Sequence, residues 1–337
     1  MIDKTVWQGR RDDEDGDLGL RFHQKIQPME DGTPSGVMIM GFASDEGVMR
    51  NKGRVGAQNA PVEIRKMLAN LPWHHNTMNI YDAGDVRCDD NDLASAQANL
   101  AGHVCNALSH QHFPLILGGG HEVAWGSFQG LAEHFVQLNA SSPPRIGIIN
   151  FDAHFDLRTP SGSSQDGSSG TPFAQIADYC QQHAWPFHYA CLGVSRSSNT
   201  QALFAKAKEL NVLTVEDIEC QPYRLADISH QLAMFMADLD AIYLTIDLDV
   251  FPASVAPGVS APAVHGVDFP IVEHLVRLIC QTCNEHGQRK LTLADIAELN
   301  PSFDIDNHTA RLAARLVWTI THSLSQPTSH IAKGVMQ

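Results

Sequence analysis

Short apolar segments rich in valine, isoleucine and leucine alternate along the chain with longer amphipathic segments. The apolar segments span residues 36–43, 78–86, 114–120, 145–152, 188–195, 211–218, 241–250 and 290–299. They show no strict alternation of apolar and polar positions, which is typical of parallel strands that are covered on both faces. The pattern predicts an α/β fold built on a parallel sheet of about eight strands.

The segments between these strands have helical periodicity, and the clearest examples follow Asp268 and Asp306. We see no internal repeat and expect one domain over residues 1–337, with an acidic segment, 1–35, that we interpret as a flexible, solvated tail. The polar stretch 159–172 predicts a loop. Its place directly after a strand is compatible with a substrate lid and with a passive linker.

Composition narrows the class of protein and of partner. Of the 337 residues, 43% are hydrophobic and 18% are charged, so the chain has enough apolar material for a sizeable core. With 23 lysines and arginines against 38 aspartates and glutamates, the net charge of -15 disfavours nucleic acid and anionic membranes and favours a small-molecule partner. We find no apolar window that would span a bilayer and no secretion signal, and the seven cysteines are scattered. We therefore expect a cytoplasmic protein.

Acidic residues and histidines cluster where predicted strands end. The members are His121 after strand 114–117; Asp152, His154 and Asp156 after strand 145–149; and Asp247 and Asp249 after strand 241–246. Alternate residues of an extended chain share a face, and open α/β sheets bind ligands at the C-terminal ends of their strands. We expect these side chains to converge on one point.

Carboxylates gathered in this way repel one another unless cations balance them. A pair of divalent ions is the economical answer, and carboxylates with one histidine per ion suit Mn²⁺ better than a thiolate zinc site does. Two ions about 3.5–4 Å apart share a bridging water and lower its pKa enough to give hydroxide at neutral pH. Taken alone, the glycine-rich loop is compatible with a tight turn and Asp-x-Asp with a helix cap. Their combination at separate strand ends predicts a metal site.

Three motifs in this set resemble the signatures of the arginase/agmatinase family, the ureohydrolases. They are GGGHE (118–122), DAHFD (152–156) and TIDLDVFPASVAPGVSAP (245–262). Residues 56–65 and the late ELNP (298–301) match as well, so the resemblance extends over nearly the whole chain. It implies a three-layer α/β/α sandwich around a roughly eight-stranded parallel sheet, two Mn²⁺ ions per subunit and a homo-oligomer.

The resemblance also implies a role for each matching residue. His121 and Asp156 would bind one Mn²⁺, His154 and Asp249 the other, and Asp152 and Asp247 would bridge the two. Glu298 aligns with the acid that holds the guanidinium or amidinium of the substrate, and a helix-capping carboxylate is its alternative interpretation. A hydroxide bridging the ions would attack the amidine carbon, and Asp156 is placed to pass the proton to the leaving amine.

Departures from the arginase and agmatinase pattern narrow the substrate. Gly120 stands where those enzymes carry an aspartate, Glu122 follows the histidine, and Phe173 lies in the loop where they carry a histidine. These departures resemble the branch of the family that hydrolyses N-formimidoyl-L-glutamate to L-glutamate and formamide. That substrate is a dicarboxylate, so we expect Arg158 and, second, Arg196 to bind it. A surface ion pair is the alternative for both arginines.

Other residues and functions are less favoured. We expect Arg54 and Arg65 to be structural, and the His74–His75 and His110/His112 pairs to lie at the surface or at helix ends. An agmatine or guanidino-acid hydrolase is the alternative enzyme, although an arginine in the pocket disfavours the cation agmatine. A non-catalytic family member that binds metal or a metabolite is the alternative from another class, and the intact set of six ligands argues against it.

Overall fold

The computed structural model describes residues 3–75, 78–139, 142–160 and 167–327. Its strands are Gln27–Pro28 (β1), Val37–Ala43 (β2), Ile80–Arg87 (β3), Phe113–Leu117 (β4), Ile146–Phe151 (β5), His188–Val194 (β6), Leu213–Glu216 (β7), Ala241–Asp247 (β8) and Leu291–Ala297 (β9). All eight predicted strands are present. The ninth, β1, is only two residues long and lies in the N-terminal segment, where no apolar run announces it.

The strands form one sheet in the order β1-β3-β2-β4-β9-β8-β5-β6-β7, and every pairing is parallel. Strands β4 and β5 are consecutive in sequence, yet β9 and β8 lie between them. Connections on either side of such a switch in strand order diverge, which opens a crevice at the C-terminal ends of the strands. The topology therefore places a binding site above β4, β9, β8 and β5.

Helices cover both faces of the sheet. They are Phe22–Lys25 (α1), Glu46–Arg50 (α2), Ala60–Ala69 (α3), Leu93–Ser109 (α4), Val123–Gln137 (α5), Pro172–Gln182 (α6), Gln201–Glu209 (α7), Leu225–Met236 (α8), Phe269–Gln281 (α9) and His308–Ser325 (α10). One apolar core lies beneath α1, α3, α8, α9 and α10. A second core lies beneath α4, α5, α6 and α7. The predicted three-layer α/β/α sandwich is confirmed.

Helix α9 illustrates how the sequence builds these layers. It begins after Asp268 with a proline in its first turn, and it buries Ile271, Leu275 and Ile279 on the face that the periodicity predicts. Full burial of each such side chain contributes about 1.5–3 kcal/mol. These side chains belong to the same apolar core as residues of β8 and β9, which carry part of the site.

The N-terminal segment contributes to this core. Trp7 is buried, and its Nε1 atom donates a hydrogen bond to Asp82 Oδ2 at 2.6 Å. Asp82 also accepts from the buried Arg65, whose guanidinium pairs with Asp85 as well, so the predicted structural role of Arg65 is confirmed. Acidic residues of the segment, such as Glu14, are exposed. Among the described residues, no helix combines the length and the apolar character needed to cross a bilayer.

Candidate metal centre

Four neighbouring strands deliver the predicted ligands to one edge of the sheet. His121 follows β4, the residues Asp152, His154 and Asp156 follow β5, Asp247 ends β8 with Asp249 just beyond it, and Glu298 follows β9. The six histidines and aspartates form two overlapping groups that are able to hold metal ions. The structure thus brings together every ligand that the strand-end pattern predicts.

The first group surrounds His121. Its Nδ1 atom lies 3.1 Å from Asp152 Oδ2, 3.0 Å from Asp156 Oδ2 and 3.1 Å from Asp247 Oδ2. Asp156 has a positive φ of 46°, which is uncommon outside glycine and turns its carboxylate toward this group.

The second group surrounds His154. Its Nδ1 atom lies 2.9 Å from Asp249 Oδ2 and 3.5 Å from Asp152 Oδ1. Asp152 therefore presents one oxygen to each group, as a bridging ligand does. Asp247 belongs to the first group alone, so a bridging role for Asp247 stays a prediction.

Divalent ions fit this geometry. An octahedral ion with bonds of about 2.1 Å holds neighbouring ligand atoms about 3 Å apart, which is close to the separations around both histidines. The Nδ1 atom of His121 is buried and forms no hydrogen bond with any residue that the structure describes. A metal ion would satisfy this nitrogen and the surrounding carboxylates together.

The shifted pKa values of the site also indicate that its carboxylates need cations to balance their charge. Burial, followed by the charges of Asp249 and Asp152, raises the pKa of Asp247 well above its ordinary value. Burial lowers the pKa of His121, but the carboxylates of Asp152, Asp156 and Asp247 outweigh it and raise that pKa well above its ordinary value. Protons or metal ions must neutralise such a cluster.

Close backbone packing explains the glycines before His121. A Cβ atom on Gly119 would lie 1.8 Å from the carbonyl oxygen of Ser44, and the Gly120 amide donates to the same oxygen at 2.9 Å. A Cβ atom on Gly120 would lie 2.0 Å from Glu122 Oε2. Glycine at 120 and glutamate at 122 therefore depend on each other.

Glu122 is buried and holds the segment that leads into α2. Its Oε1 atom accepts hydrogen bonds from Ser44 Oγ at 3.1 Å and from the Gly47 amide at 3.0 Å. Burial raises the pKa of Glu122 to about 7. The carbonyl of Gly47 in turn accepts from the Ser169 amide at 3.0 Å, so Glu122 indirectly positions the loop after β5. Residues 161–166 of the predicted 159–172 loop lie outside the described residues.

Three further residues support the site, and of these the sequence singled out only Phe173, as a departure from the family pattern. Thr245 Oγ1 lies 3.0 Å from Nε2 of His121, which leaves Nδ1 for the metal. The ring of Phe173 packs edge-on against the His121 ring at a centroid distance of 5.4 Å. Asn199 bonds to the carbonyls of Ala153 and Ser195 and to the amide of Phe155, which orders the DAHFD loop. Thr245 was detectable, because it shares a strand face with Asp247 and Asp249.

Glu298 is buried beside the metal centre. It has a positive φ of 69°, and its Oε1 atom accepts a hydrogen bond from the His121 amide at 2.9 Å. Its Oε2 atom has no partner within the described part of the chain. Burial and the charge of Glu122 raise the pKa of Glu298 to about 8. A cationic amidinium would supply the partner that this carboxylate lacks.

A cavity of about 300 Å³ opens over the metal centre. Its wall includes Glu298 and three cationic side chains, those of Lys52, Arg54 and Arg158. A larger cavity of about 560 Å³ lies between the N-terminal segment, β3 and α4, but none of the predicted ligands lines it. We place the functional site at the smaller cavity because the chemical groups converge there.

The two arginines predicted to bind substrate are placed differently. Arg158 lines the cavity. Arg196 does not, because its exposed guanidinium forms an ion pair with Glu216 and stacks 4.6 Å from the ring centroid of Phe204. The surface ion pair that sequence reasoning kept as the alternative describes Arg196 in this structure.

The fold and the two groups of candidate ligands agree with the family that the comparisons show. The chain belongs to the arginase family, whose model matches residues 35–322. A relative from Aliivibrio fischeri named formimidoylglutamase is 55% identical over 336 residues, which cover 96% of each chain. Formimidoylglutamase from Bacillus subtilis has a crystal structure that matches with a TM-score of 0.77 at 24% identity, covering 92% of this chain and 93% of its own. Formiminoglutamase from Trypanosoma cruzi, crystallised with Mn²⁺, matches with a TM-score of 0.74 at 24% identity, covering 87% and 94%.

Proposed function

We propose that this protein hydrolyses N-formimidoyl-L-glutamate to L-glutamate and formamide. One observation carries the proposal: a single cavity joins a metal-binding cluster, a buried carboxylate without a partner at Glu298, and cationic side chains. The carboxylate suits the amidinium end of the substrate, and the cations suit its two carboxylates. The names of relatives that are more than half identical over nearly the whole chain support the same substrate.

We propose that the resident metals are two Mn²⁺ ions per subunit. His121, Asp152, Asp156 and Asp247 would hold one ion, and Asp152, His154 and Asp249 the other. When bound, such a pair supplies hydroxide at neutral pH and stabilises negative charge that develops during hydrolysis.

The chain's own residues orient the substrate and move the proton. Glu298 binds the amidinium, which presents the formimidoyl carbon to the metal centre. Asp156 accepts a proton from the attacking water and delivers it to the α-nitrogen of glutamate. The new C–O bond forms as the bond between the formimidoyl carbon and this nitrogen breaks, which releases formamide and glutamate. Arg158 binds one carboxylate, and Arg196 is left out because Glu216 occupies its guanidinium.

We also propose that the protein is a homo-oligomer and that it is cytoplasmic. The family resemblance predicts a homo-oligomer, and seven free cysteines without a disulfide among the described residues agree with the predicted cytoplasmic location. Light scattering of the purified chain would measure the oligomer directly.

Parallel turnover assays test the substrate. The Mn²⁺-loaded protein is given N-formimidoyl-L-glutamate, agmatine, arginine and 4-guanidinobutyrate, and glutamate, formamide and urea are measured. We expect glutamate and formamide in equal amounts from the first compound alone. Urea from a guanidino compound would show that the substrate assignment is wrong. The absence of turnover with two ions bound would favour a non-catalytic binding protein.

A further inference from the structure

The three cations of the cavity wall have different partners. Arg54 is committed to the protein, because its guanidinium donates to the carbonyls of Val259 and Ser260 and lies 3.9 Å from the ring centroid of Phe303. Lys52 and Arg158 are exposed at the cavity mouth and form no ion pair with any residue that the structure describes. The cavity therefore offers two cations to a ligand, and its proposed substrate carries two carboxylates.

Lys52 is held on the wall by its backbone. It follows α2 with a φ of 63°, a left-handed conformation that is uncommon for a residue other than glycine. Its amide donates to the Met49 carbonyl at 2.9 Å, and the Gly53 amide donates to the Val48 carbonyl at 2.8 Å. This tight end of the helix turns the chain so that residues 51–54 all line the cavity.

Contacts on both sides fix the segment before any ligand binds. Glu122 holds the Gly47 amide at the start of α2, and the Arg54 amide donates to Ser260 Oγ at 2.9 Å beyond its end. The backbone at Lys52 is thus preorganised, which reduces the backbone entropy lost when a ligand binds.

We infer that Lys52 binds the side-chain carboxylate of the substrate while Arg158 binds the carboxylate next to the reacting nitrogen. Arg158 stands two residues beyond Asp156, which serves that nitrogen, whereas Lys52 approaches from a separate segment of the wall. The inference rests on the proposed function. It makes Lys52 a specificity residue for dicarboxylates.

A cycle of variants and substrate analogues tests this assignment in the Mn²⁺-loaded chain. For Lys52→Met, we expect KM for N-formimidoyl-L-glutamate to rise by about 10–100-fold, because a charge-assisted hydrogen bond is lost, while kcat changes by less than about twofold. With N-formimidoyl-L-glutamine, whose side chain is uncharged, wild type and variant should have equal KM. Lys208→Met, at an exposed position on α7, is the matched control and should change neither constant.

Three results would overturn the assignment. One is an unchanged KM for N-formimidoyl-L-glutamate in Lys52→Met. The second is an equal rise in KM for the glutamate and glutamine compounds, which would show that the substitution disturbs the fold of the cavity wall. The third concerns N-formimidoyl-4-aminobutyrate, which lacks the α-carboxylate. If Lys52→Met does not raise KM for this compound, Lys52 binds the α-carboxylate and the roles of the two cations are exchanged.

Calorimetric binding of the product separates this inference from the proposed reaction. L-glutamate should bind wild type at least about tenfold more tightly than Lys52→Met, whereas L-glutamine should not distinguish them. A wild type that binds glutamate in this way without turning over the substrate would refute the reaction and retain the dicarboxylate site. A wild type that neither turns over the substrate nor binds glutamate would refute both.

Discussion

His121 in the candidate metal centre and His75 in a cluster of aromatic rings are equally buried, at 1% exposure each, yet their surroundings shift the pKa of the ring in opposite directions. Carboxylates overcome the effect of burial at His121 and raise its pKa well above the ordinary value. At His75, burial and the neighbouring His322 lower the pKa to about 4. Burial alone does not reveal what a histidine does, because the partners of the ring decide which form is stable.

The two regions also differ in what surrounds the ring. His75 packs 4.4 Å from the ring centroid of Trp73 and 5.5 Å from that of Phe22, and its Nε2 atom lies 3.1 Å from Thr321 Oγ1. This cluster joins the chain before β3 to α10 through apolar contact. The metal centre gathers charges that need a further ligand, whereas the aromatic cluster is a packed part of the core. The first should control activity and the second stability.

The largest expected effect is that of Asp152→Asn, because Asp152 presents an oxygen to both metal groups. We expect kcat/KM to fall by about 10³-fold or more, together with loss of bound metal. Turnover and elemental analysis of the same sample measure both quantities. Asp240→Asn, at a surface ion pair with Arg145, is the control. Full metal content with normal turnover in Asp152→Asn would remove Asp152 from the centre.

Glu298→Gln should separate substrate binding from metal binding. The amide oxygen retains the hydrogen bond from the His121 amide, but the charge that would hold an amidinium is lost. We expect kcat/KM to fall by about 10²-fold with two ions still bound. Loss of metal in this variant would contradict the separation and would assign Glu298 to the centre itself.

His75→Ala should lower stability and leave turnover nearly unchanged. Removing the ring leaves a cavity among the aromatic residues, while Thr321 Oγ1 keeps its hydrogen bonds to the carbonyls of Val317 and Trp318. We expect the free energy of unfolding to fall by about 3 kcal/mol because of the cavity. The kcat of the folded enzyme should stay within about twofold of wild type. Urea unfolding and turnover below the transition measure the two effects, with the exposed His230→Ala as control. A stable His75→Ala variant with impaired turnover would abolish the contrast between the regions.

The smallest effect is a pH dependence of stability. The folded pKa of His75 is about 4, below the unfolded value of about 6.5, so the unfolded chain binds more protons between these pH values. The stability that neutral His75 contributes is complete above pH 6.5 and is lost as the pH falls toward 4. We expect wild type to lose about 2 kcal/mol more than His75→Phe across this interval, with His74 and His322 facing the ring in both proteins. Parallel pH curves for the two proteins would rule out titration of His75.

The sequence predicted the parts of this molecule that depend on neighbours along the chain. The eight long strands and the six candidate ligands were accessible because each ligand directly follows a recognisable apolar strand. The ion pair of Arg196 was kept only as an alternative, because its partner Glu216 lies on the neighbouring strand β7, which no local pattern reveals. His75 and His112 were expected at the surface or at helix ends, and both are buried. Lys52 escaped notice because only the turn after α2 brings it to the cavity.

The mutual dependence of Gly47, Gly120 and Glu122 restricts the order in which this loop can evolve. A side chain at 47 would meet Glu122 Cδ at 2.5 Å, and one at 120 would meet Glu122 Oε2 at 2.0 Å. A Cβ atom at 120 would also lie 2.4 Å from Val48 Cγ2, so the aspartate that the resemblance associates with arginases and agmatinases needs space at both Val48 and Glu122. Shortening Glu122 would remove its hydrogen bonds to Ser44 and to the Gly47 amide, which hold the segment that bears Lys52. A chain on this path would therefore lose the dicarboxylate preference that we propose before it acquired another loop.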